Sequence, residues 1–102
     1  MASSPAASNR NLPKARFVVP HHVASRAFPT ETVLLNLNTG QYHGLNPTGG
    51  RMFEVLDECG DPEVAASRLA GEFQQPLETV RGDLNELCRS LVERGLLEAE
   101  IA

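Results

Sequence analysis

The turn-rich stretch NLNTGQYHGLNPTG, residues 36–49, constrains the fold more than any other part of this 102-residue chain. Just before and into it, TVLLNLN alternates between two faces, with Val33, Leu35 and Leu37 on one of them, which is typical of a half-buried strand. A short connection that ends at Gly40 leads into QYHGL, and glycine tolerates the positive φ that tight hairpin turns need. We therefore predict a β-hairpin that runs almost directly into a helix.

Three helices are predicted after the hairpin, and a proline marks the start of each. Asn46 followed by Pro47 combines an N-cap acceptor with a residue that needs no backbone donor in the first turn, and residues 61–62 repeat this device. Pro76 opens the third and longest helix. The apolar residues at helical spacing, which we expect to face a core, are Met52, Phe53, Leu56, Val64, Ala65, Leu69, Phe73, Leu77, Val80, Leu84, Leu87, Cys88 and Leu91.

Composition and proline placement predict the two ends of the chain. Residues 1–15 are small, polar and proline-containing, so we expect a disordered basic arm before a single domain at residues 16–102. Pro20 cannot donate to a strand ladder, which places a first strand after it, near residues 22–27. Residues 96–97 are expected to re-enter the core as a short extended piece. The fold class is α+β, a three-stranded antiparallel sheet followed by three helices, compatible with a winged helix-turn-helix arrangement.

Charge is distributed unevenly along the chain. Residues 1–30 hold four basic residues and no acid, whereas residues 31–102 hold five arginines against thirteen acids, so balances of +4 and −8 give the net charge of −4. A basic arm can bind nucleic acid, but the acidic body would repel phosphates, so we favour a solvated tail. No apolar run could span a membrane, and the N-terminus lacks the apolar stretch of a secretory signal, so we expect a cytoplasmic protein.

The residue types that carry catalysis are poorly placed for it. His21, His22 and His43 do not follow the spacing of a metal site, and exposed strand histidines are the commoner explanation. Cys59 and Cys88 share no CxxC spacing, so we expect two reduced thiols. The glycines do not match a phosphate-binding loop. We predict no enzymatic activity, no metal and no cofactor.

The hairpin favours a module that binds another chain. If the returning strand Gln41–Leu45 lies at the margin of the sheet, its unpaired backbone groups can receive an extended peptide. Gly44 would let another backbone approach closely, although it would equally fit a local bulge. The alternative function is a winged-helix transcription regulator, whose third helix would enter the major groove of DNA. That helix carries four acids against three arginines, so a polyanion would be slightly repelled.

Two segments together resemble the PqqD-like family, the small recognition elements for ribosomally made, modified peptides. They are VLLNLNTGQYHGLNPTGGRMFEVL and the closing LCRSLVERGLLE, and the resemblance covers about residues 30–98. The length, the separate chain and the N-terminal arm look most like the stand-alone recognition protein of lasso peptide clusters. The resemblance implies a winged-helix-like fold without catalysis. It also implies three partners: the leader of a precursor peptide, a separate leader peptidase of the cysteine-protease type, and a cyclase that acts later.

The same resemblance implies that the leader docks as an added strand beside the third strand, in the cleft against the third helix. Carried onto this sequence, the candidate peptide-binding residues are Leu34, Gln41, Tyr42, His43, Gly44, Leu45, Val80, Asp83, Leu84, Leu87 and Leu91. Leu34 is included because it points away from the Val33 face, and the helix leucines are expected to divide between core and site. The pair Gly49 and Gly50 departs from the family pattern, in which one glycine is usual, and this weakens the first helical turn.

Overall fold

The computed structural model describes residues 15–101 of the chain, so the predicted disordered arm lies outside the described residues apart from Ala15. The elements, in chain order, are β1 Ala15–Val18, β2 Val23–Ala27, β3 Thr32–Asn36, β4 Gln41–Leu45, α1 Pro47–Cys59, α2 Pro62–Phe73, α3 Leu77–Glu93 and β5 Glu98–Ile101. The strand predicted near residues 22–27 is therefore confirmed as β2. Pro20 precedes it, as its missing backbone donor requires.

The three-stranded sheet has the order β2-β3-β4, and both strand pairs are antiparallel. It precedes the three helices along the chain, so the predicted α+β class is confirmed. Leu34, in the central strand, lies opposite Ser25 of β2 and His43 of β4. Its side chain is fully buried in the hydrophobic core, which places the helical layer on the Leu34 side of the sheet.

The face that carries Leu34 is therefore the inner one. Leu34 does point away from the Val33 face, but it points into the core, whereas Leu37 is 59% exposed. The Leu34 side chain has no exposed surface to offer a ligand, so it belongs to the core and we do not place it in the peptide-binding site. Alternation shows which residues share a face, but it does not show which face the helices cover.

A second sheet was absent from the expectations. β1 and β5 form an antiparallel pair in which Phe17 lies opposite Ala99. Leu96 and Leu97, 0% and 2% exposed, lead directly into β5, which confirms that residues 96–97 re-enter the core. Phe17 N also donates to the carbonyl oxygen of Gly60 at 2.8 Å, so β1 is held by the end of α1 as well as by β5.

The helices begin and end where the sequence places their caps. Asn46 Oδ1 accepts from the backbone N–H of Gly49 at 2.8 Å, and Asp61 Oδ1 accepts from that of Glu63 at 2.9 Å. Gly60 ends α1 with a φ of 72°, a left-handed conformation that favours glycine. None of the described helices has the length and apolarity needed to cross a membrane.

One cluster of buried apolar residues joins the sheet to the helices. It consists of Leu34, Met52, Phe53, Val55, Leu56, Ala65, Ala66, Leu69, Val80, Leu84, Cys88, Leu91, Leu96 and Leu97. Four residues expected to face the core are not among them: Phe73 and Leu87 are partly buried and pack against the cluster, whereas Val64 and Leu77 are 46% and 37% exposed. Burial raises the pKa of the Cys88 thiol to about 11, so this thiol stays protonated at neutral pH.

Gly50 explains the second glycine of α1. A Cβ atom built on Gly50 would lie 2.9 Å from Cβ of Thr32 in β3, closer than packed side chains allow. The glycine therefore lets the first turn of α1 lie directly against the sheet. This contact offsets the cost of a helical glycine, about 1 kcal/mol relative to alanine, and so the first turn is fixed by packing.

Ion pairs tie the helices to one another. Arg51 of α1 reaches Glu72 of α2 with a 2.7 Å contact, and Arg81 of α3 reaches Glu63 of α2 at 3.0 Å. The hydrogen bond from Arg51 holds the pKa of Glu72 below its ordinary value, and the hydrogen bond to Glu63 raises the pKa of Arg81. These ion pairs join the helices to one another.

Candidate peptide-binding groove

Strand β4 forms one margin of the three-stranded sheet. It pairs with β3 on one side, and no strand within residues 15–101 pairs with its other side. Tyr42, in the middle of β4, is 70% exposed. A margin of this kind presents backbone donors and acceptors that an additional strand can bind. The open edge on which the peptide-binding hypothesis depends is present among the described residues.

The hydrogen bonds that bracket the β2–β3 pair show which backbone groups face which neighbour. Phe28 N donates to the carbonyl oxygen of Glu31, and Leu37 N donates to that of His22, both at 2.7 Å. In an antiparallel sheet the N–H and C=O of one residue point to the same side, and the side alternates along the strand. The odd-numbered residues of β3 therefore bond to β2, and the even-numbered ones bond to β4.

This alternation continues into β4. The even-numbered residues of β3 lie opposite Gln41, His43 and Leu45, so these three residues direct their backbone groups back towards β3. Tyr42 and Gly44 direct theirs to the open edge. The side chain that Gly44 lacks would lie on the outer face of the sheet, opposite Val33, where a Cβ atom would approach Glu31 Oε1 at 2.9 Å.

Helix α3 and the residue that ends it lie near the β4 side of the sheet at two places. At one end, Nη1 of Arg94 donates to Nδ1 of His43 at 3.2 Å. At the other end, a concavity of about 360 Å³, which we call the groove, separates α3 from the chain that follows β4. The groove is lined by Asn46, Thr48, Gly49, Met52, Asp83, Glu86 and Leu87. A strand added beside β4 would lie along α3 and enter this groove.

The groove combines an apolar floor with an acidic wall. Met52 is 5% exposed and Leu87 is half-buried, so both offer apolar surface to a side chain placed between them. Asp83 and Glu86 are exposed, and neither forms an ion pair within residues 15–101. The groove can thus hold an apolar side chain and attract a cation at the same place.

His43 connects β4 to the end of α3. A guanidinium can only donate, so Nδ1 of His43 must accept from Arg94, and the neutral ring then carries its proton on Nε2. Nε2 is buried and has no hydrogen-bond partner in the described part of the chain. An unsatisfied buried donor costs about 1–3 kcal/mol, and this one lies on the strand that has the open edge.

The structure divides the candidate residues into two groups. Gln41, Tyr42, His43, Gly44 and Leu45 form the edge strand, and Asp83 and Leu87 line the groove. Val80, Leu84 and Leu91 are at most 2% exposed and belong with Leu34 to the core, which is the division expected of the helix leucines.

Several groove residues were missed by the sequence reasoning. They are Asn46, Thr48, Gly49, Met52 and Glu86. Glu86 had a detectable signal, because it lies one helical turn after Asp83 and next to Leu87 in sequence. The first turn of α1 had none, since its residues were interpreted only as a helix cap.

The outer face of the sheet carries a second apolar concavity, of about 290 Å³. The residues that line this concavity are referred to together as the outer face, and they are Ala24, Ser25, Arg26, Phe28, Val33, Leu35 and Tyr42. Phe28 is 50% exposed, and Tyr42 contributes its side chain here while its backbone faces the open edge. Exposed aromatic residues around an apolar depression are typical of protein–protein contact surfaces.

The histidines are engaged separately. Nε2 of His22 contacts the carbonyl oxygen of Gly95 at 2.9 Å, whereas His43 contacts Arg94. Among residues 15–101, no group of three or more His, Cys, Asp or Glu side chains is arranged to hold a metal ion.

Comparison with known proteins agrees with this architecture. A family model described as coenzyme PQQ synthesis protein D (PqqD) matches residues 31–97, which is more than half of the chain. The chain belongs to the PqqD family. The match runs from the residue before β3 to the buried leucines before β5, so it contains the edge strand, the groove and all three helices of this PqqD family member. A search of curated protein sequences returned no match.

Two solved structures share the fold of this PqqD family member. The first is TbiB1 in complex with the TbiA(beta) leader peptide, at 35% identity and a TM-score of 0.73, covering 78% of this chain and 93% of that one. The second is lasso peptide synthetase B1 complexed with the leader peptide, also with a TM-score of 0.73, covering 81% of this chain and 98% of that one. At 24% identity, the second structure bears on the fold alone.

Proposed function

We propose that this PqqD family member binds the leader segment of a ribosomally synthesised precursor peptide as an additional strand beside β4. The observation that carries the proposal is the open edge at Tyr42 and Gly44, which lies next to α3 and leads into the groove. The 35% identical neighbour, TbiB1, was solved with a leader peptide, which supports the same class of ligand here. Strand addition uses main-chain groups for affinity and flanking pockets for specificity.

The geometry accounts for a useful affinity. Tyr42 and Gly44 offer up to four backbone hydrogen bonds, each with a net contribution of about 0.5–1.5 kcal/mol. The apolar surface of Met52 and Leu87 adds burial of a peptide side chain at about 25 cal/mol per Å². Ordering the peptide opposes these gains, so we expect a dissociation constant in the micromolar range, about −8 kcal/mol.

The proposed biological role is capture and presentation to a separate leader peptidase of the cysteine-protease type, in a pathway of the lasso peptide kind, with a cyclase acting afterwards. The chain itself would perform no catalysis. Binding the leader and the peptidase on one small protein raises the effective concentration of the substrate beside the enzyme. We place the peptidase on the outer face, because Tyr42 belongs both to this face and to the leader-binding edge.

The alternative of DNA binding is less well supported. A recognition helix has to approach phosphates, whereas the exposed side of α3 next to the groove presents Asp83 and Glu86 without ion-pair partners in the described residues. These carboxylates would repel a nucleic acid and attract a basic peptide.

Titration of a fluorescent TbiA(beta) leader peptide, followed by anisotropy, tests the proposal. We expect saturable binding below about 10 μM, roughly −7 kcal/mol. Tyr42→Pro removes an edge-facing N–H without breaking the ladder to β3, so it should weaken binding at least ten-fold while the protein stays folded. Tyr42→Ala, which removes the same side chain but keeps the N–H, is the matched control and should bind within three-fold of the parent.

Two outcomes would contradict the proposal. The first is the absence of saturable binding at 100 μM protein. The second is equal affinity of the proline and alanine variants, since that result would mean that the peptide does not use the edge. The peptidase part is tested separately with Phe28→Asp, which should keep leader affinity within two-fold and abolish co-elution with the peptidase.

A further inference from the structure

We infer that the groove selects leader peptides by a basic side chain at one fixed position, which Asp83 and Glu86 bind at the Leu45 end of β4. The inference rests on the proposed function and specifies the class of peptide that this site accepts. It depends on the charge of the groove, on the position of the groove at the end of the open edge, and on the opposite charge at the other end of α3.

Asp83 and Glu86 are free of ion pairs in the described residues, whereas five other acids of the helices are engaged; Asp57 and Glu93 are also unpaired there but lie outside the groove. Arg51 binds Glu54 and Glu72, and the remaining ion pairs in the described residues are those of Arg68 with Glu58 and of Arg81 with Glu63 and Glu78. Asp83 and Glu86 have no such partner there, although they lie one turn apart on α3, where like charges are mutually unfavourable. A lysine or arginine placed between them would relieve this repulsion.

The position of the pair follows from the end of the edge strand. The groove begins at Asn46, the residue after β4, and its other wall is formed by Asp83, Glu86 and Leu87. A peptide hydrogen-bonded to Tyr42 and Gly44 passes this point whichever direction it runs. The aliphatic stem of a lysine or arginine would then cover Met52 and Leu87 while its charged group reaches the carboxylates, as long basic side chains do on apolar surfaces.

The charge at the other end of α3 makes the selection positional. Arg94 lies beside His43, eight residues after Glu86, or about 12 Å along the helix. In an extended peptide this distance corresponds to roughly four residues. A second cation at that position would be repelled by Arg94. A uniformly basic peptide should therefore bind less tightly than a peptide with one cation placed at the groove.

A display library of randomised ten-residue peptides tests this selectivity without knowledge of the natural leader. It is panned against the full chain, against the double variant D83N/E86Q, and against the control D57N/E98Q. The control removes the same two charges outside the groove, since Asp57 faces the β2 side of α1 and Glu98 lies on β5. We expect lysine and arginine to be enriched at one position for the full chain and the control, and at none for D83N/E86Q.

Affinity measurements on the best selected peptide complete the test. At low salt, D83N/E86Q should bind it about five-fold more weakly than the full chain, and the control less than two-fold more weakly. Two results would overturn the inference in favour of a general charge effect. They are enrichment of basic residues at every position, and a loss of affinity in the control as large as that in D83N/E86Q. Enrichment of peptides without a basic position overturns it while leaving peptide binding intact.

Two further outcomes of the panning experiment bear on the proposed function and on what occupies the groove. No enrichment of any peptide would contradict the proposed function as well as the inference. If the basic position emerges only after deletion of residues 1–14, which carry Arg10 and Lys14, the occupant of the groove in the full chain is its own N-terminal segment, and the inference is wrong.

Discussion

Two edge strands of this protein, β1 in the smaller sheet and β4 in the larger one, are treated in opposite ways. The chain holds β1 on both sides with its own residues, since β1 pairs with β5 on one side and Phe17 N donates to the carbonyl oxygen of Gly60 on the other. The larger sheet ends at β4, where Tyr42 and Gly44 face no strand within residues 15–101. Both sheets lie beside helices, so the difference is not one of available cover. It indicates that the first sheet contributes stability and that the second keeps a margin for a ligand.

The largest expected effect is on the closed side. Leu96→Ala removes a fully buried side chain at the entry to β5 and should lower the free energy of unfolding by about 3 kcal/mol, in the range of core leucine truncations. Tyr42→Ala, at the open edge, should lower it by less than about 0.5 kcal/mol. Urea denaturation measures both changes. Equal losses would break the distinction between the two regions.

A smaller effect on stability is expected where Gly50 of α1 packs against Thr32 of β3. Gly50→Ala gains helix propensity but places Cβ against Thr32, so we expect a net loss of about 2 kcal/mol in the free energy of unfolding. Thr32→Ala in the same background should recover at least half of that loss, because it removes the obstructing hydroxyl and methyl group. Thermal denaturation of the parent, the two single variants and the double variant measures this recovery. If the stability changes of the two single variants simply add in the double variant, the two residues are not in contact.

The smallest expected effect on stability concerns the charged groups of the helical body and of the groove. Glu72 is paired with Arg51 in the helical body, and this hydrogen bond lowers its pKa, whereas Asp83 in the groove is unpaired. The stabilisation by Glu72 is present above its ordinary pKa of 4.5 and is lost as the pH falls through the lowered value. Glu72→Gln should therefore flatten the fall in urea midpoint between pH 5 and pH 3. An equally steep fall in the Glu72→Gln variant and in the parent would contradict the assignment.

The sequence predicted the parts of the fold that local chemistry determines. The helix starts at Asn46 and Asp61 depend on N-caps, the hairpin depends on the turn at Gly40, and the start of β2 depends on the missing donor of Pro20. Each of these signals can be recognised within a few residues of sequence. The β1–β5 pair was not predicted, because it joins segments 82 positions apart and neither strand has a distinctive pattern. Such non-local pairing is determined by the packed helices between the two strands.

The site was predicted in part for similar reasons. The sequence pointed to strand β4 and to Asp83 and Leu87 of α3, which lie at the open edge and in the groove. It also showed that Leu34 lies on the side opposite Val33, but it did not show that the helices cover that side, since periodicity does not show which face is covered. Glu86 could have been found from its position one turn after Asp83, whereas Met52 became visible as a groove residue only in the structure, where α1 and α3 line the groove together. The free margin of β4 depends on what lies beside it in space, and no local pattern reports that.

Residue-resolved amide hydrogen exchange, measured by NMR with and without saturating TbiA(beta) leader peptide, tests most directly whether the edge of β4 receives a strand. In the free protein, the amides of Tyr42 and Gly44 should exchange rapidly, and that of His43 should already be protected by its bond to β3. The account predicts that the leader slows exchange at Tyr42 and Gly44 at least ten-fold and changes His43 little. Rapid exchange at both residues in the saturated complex would contradict it.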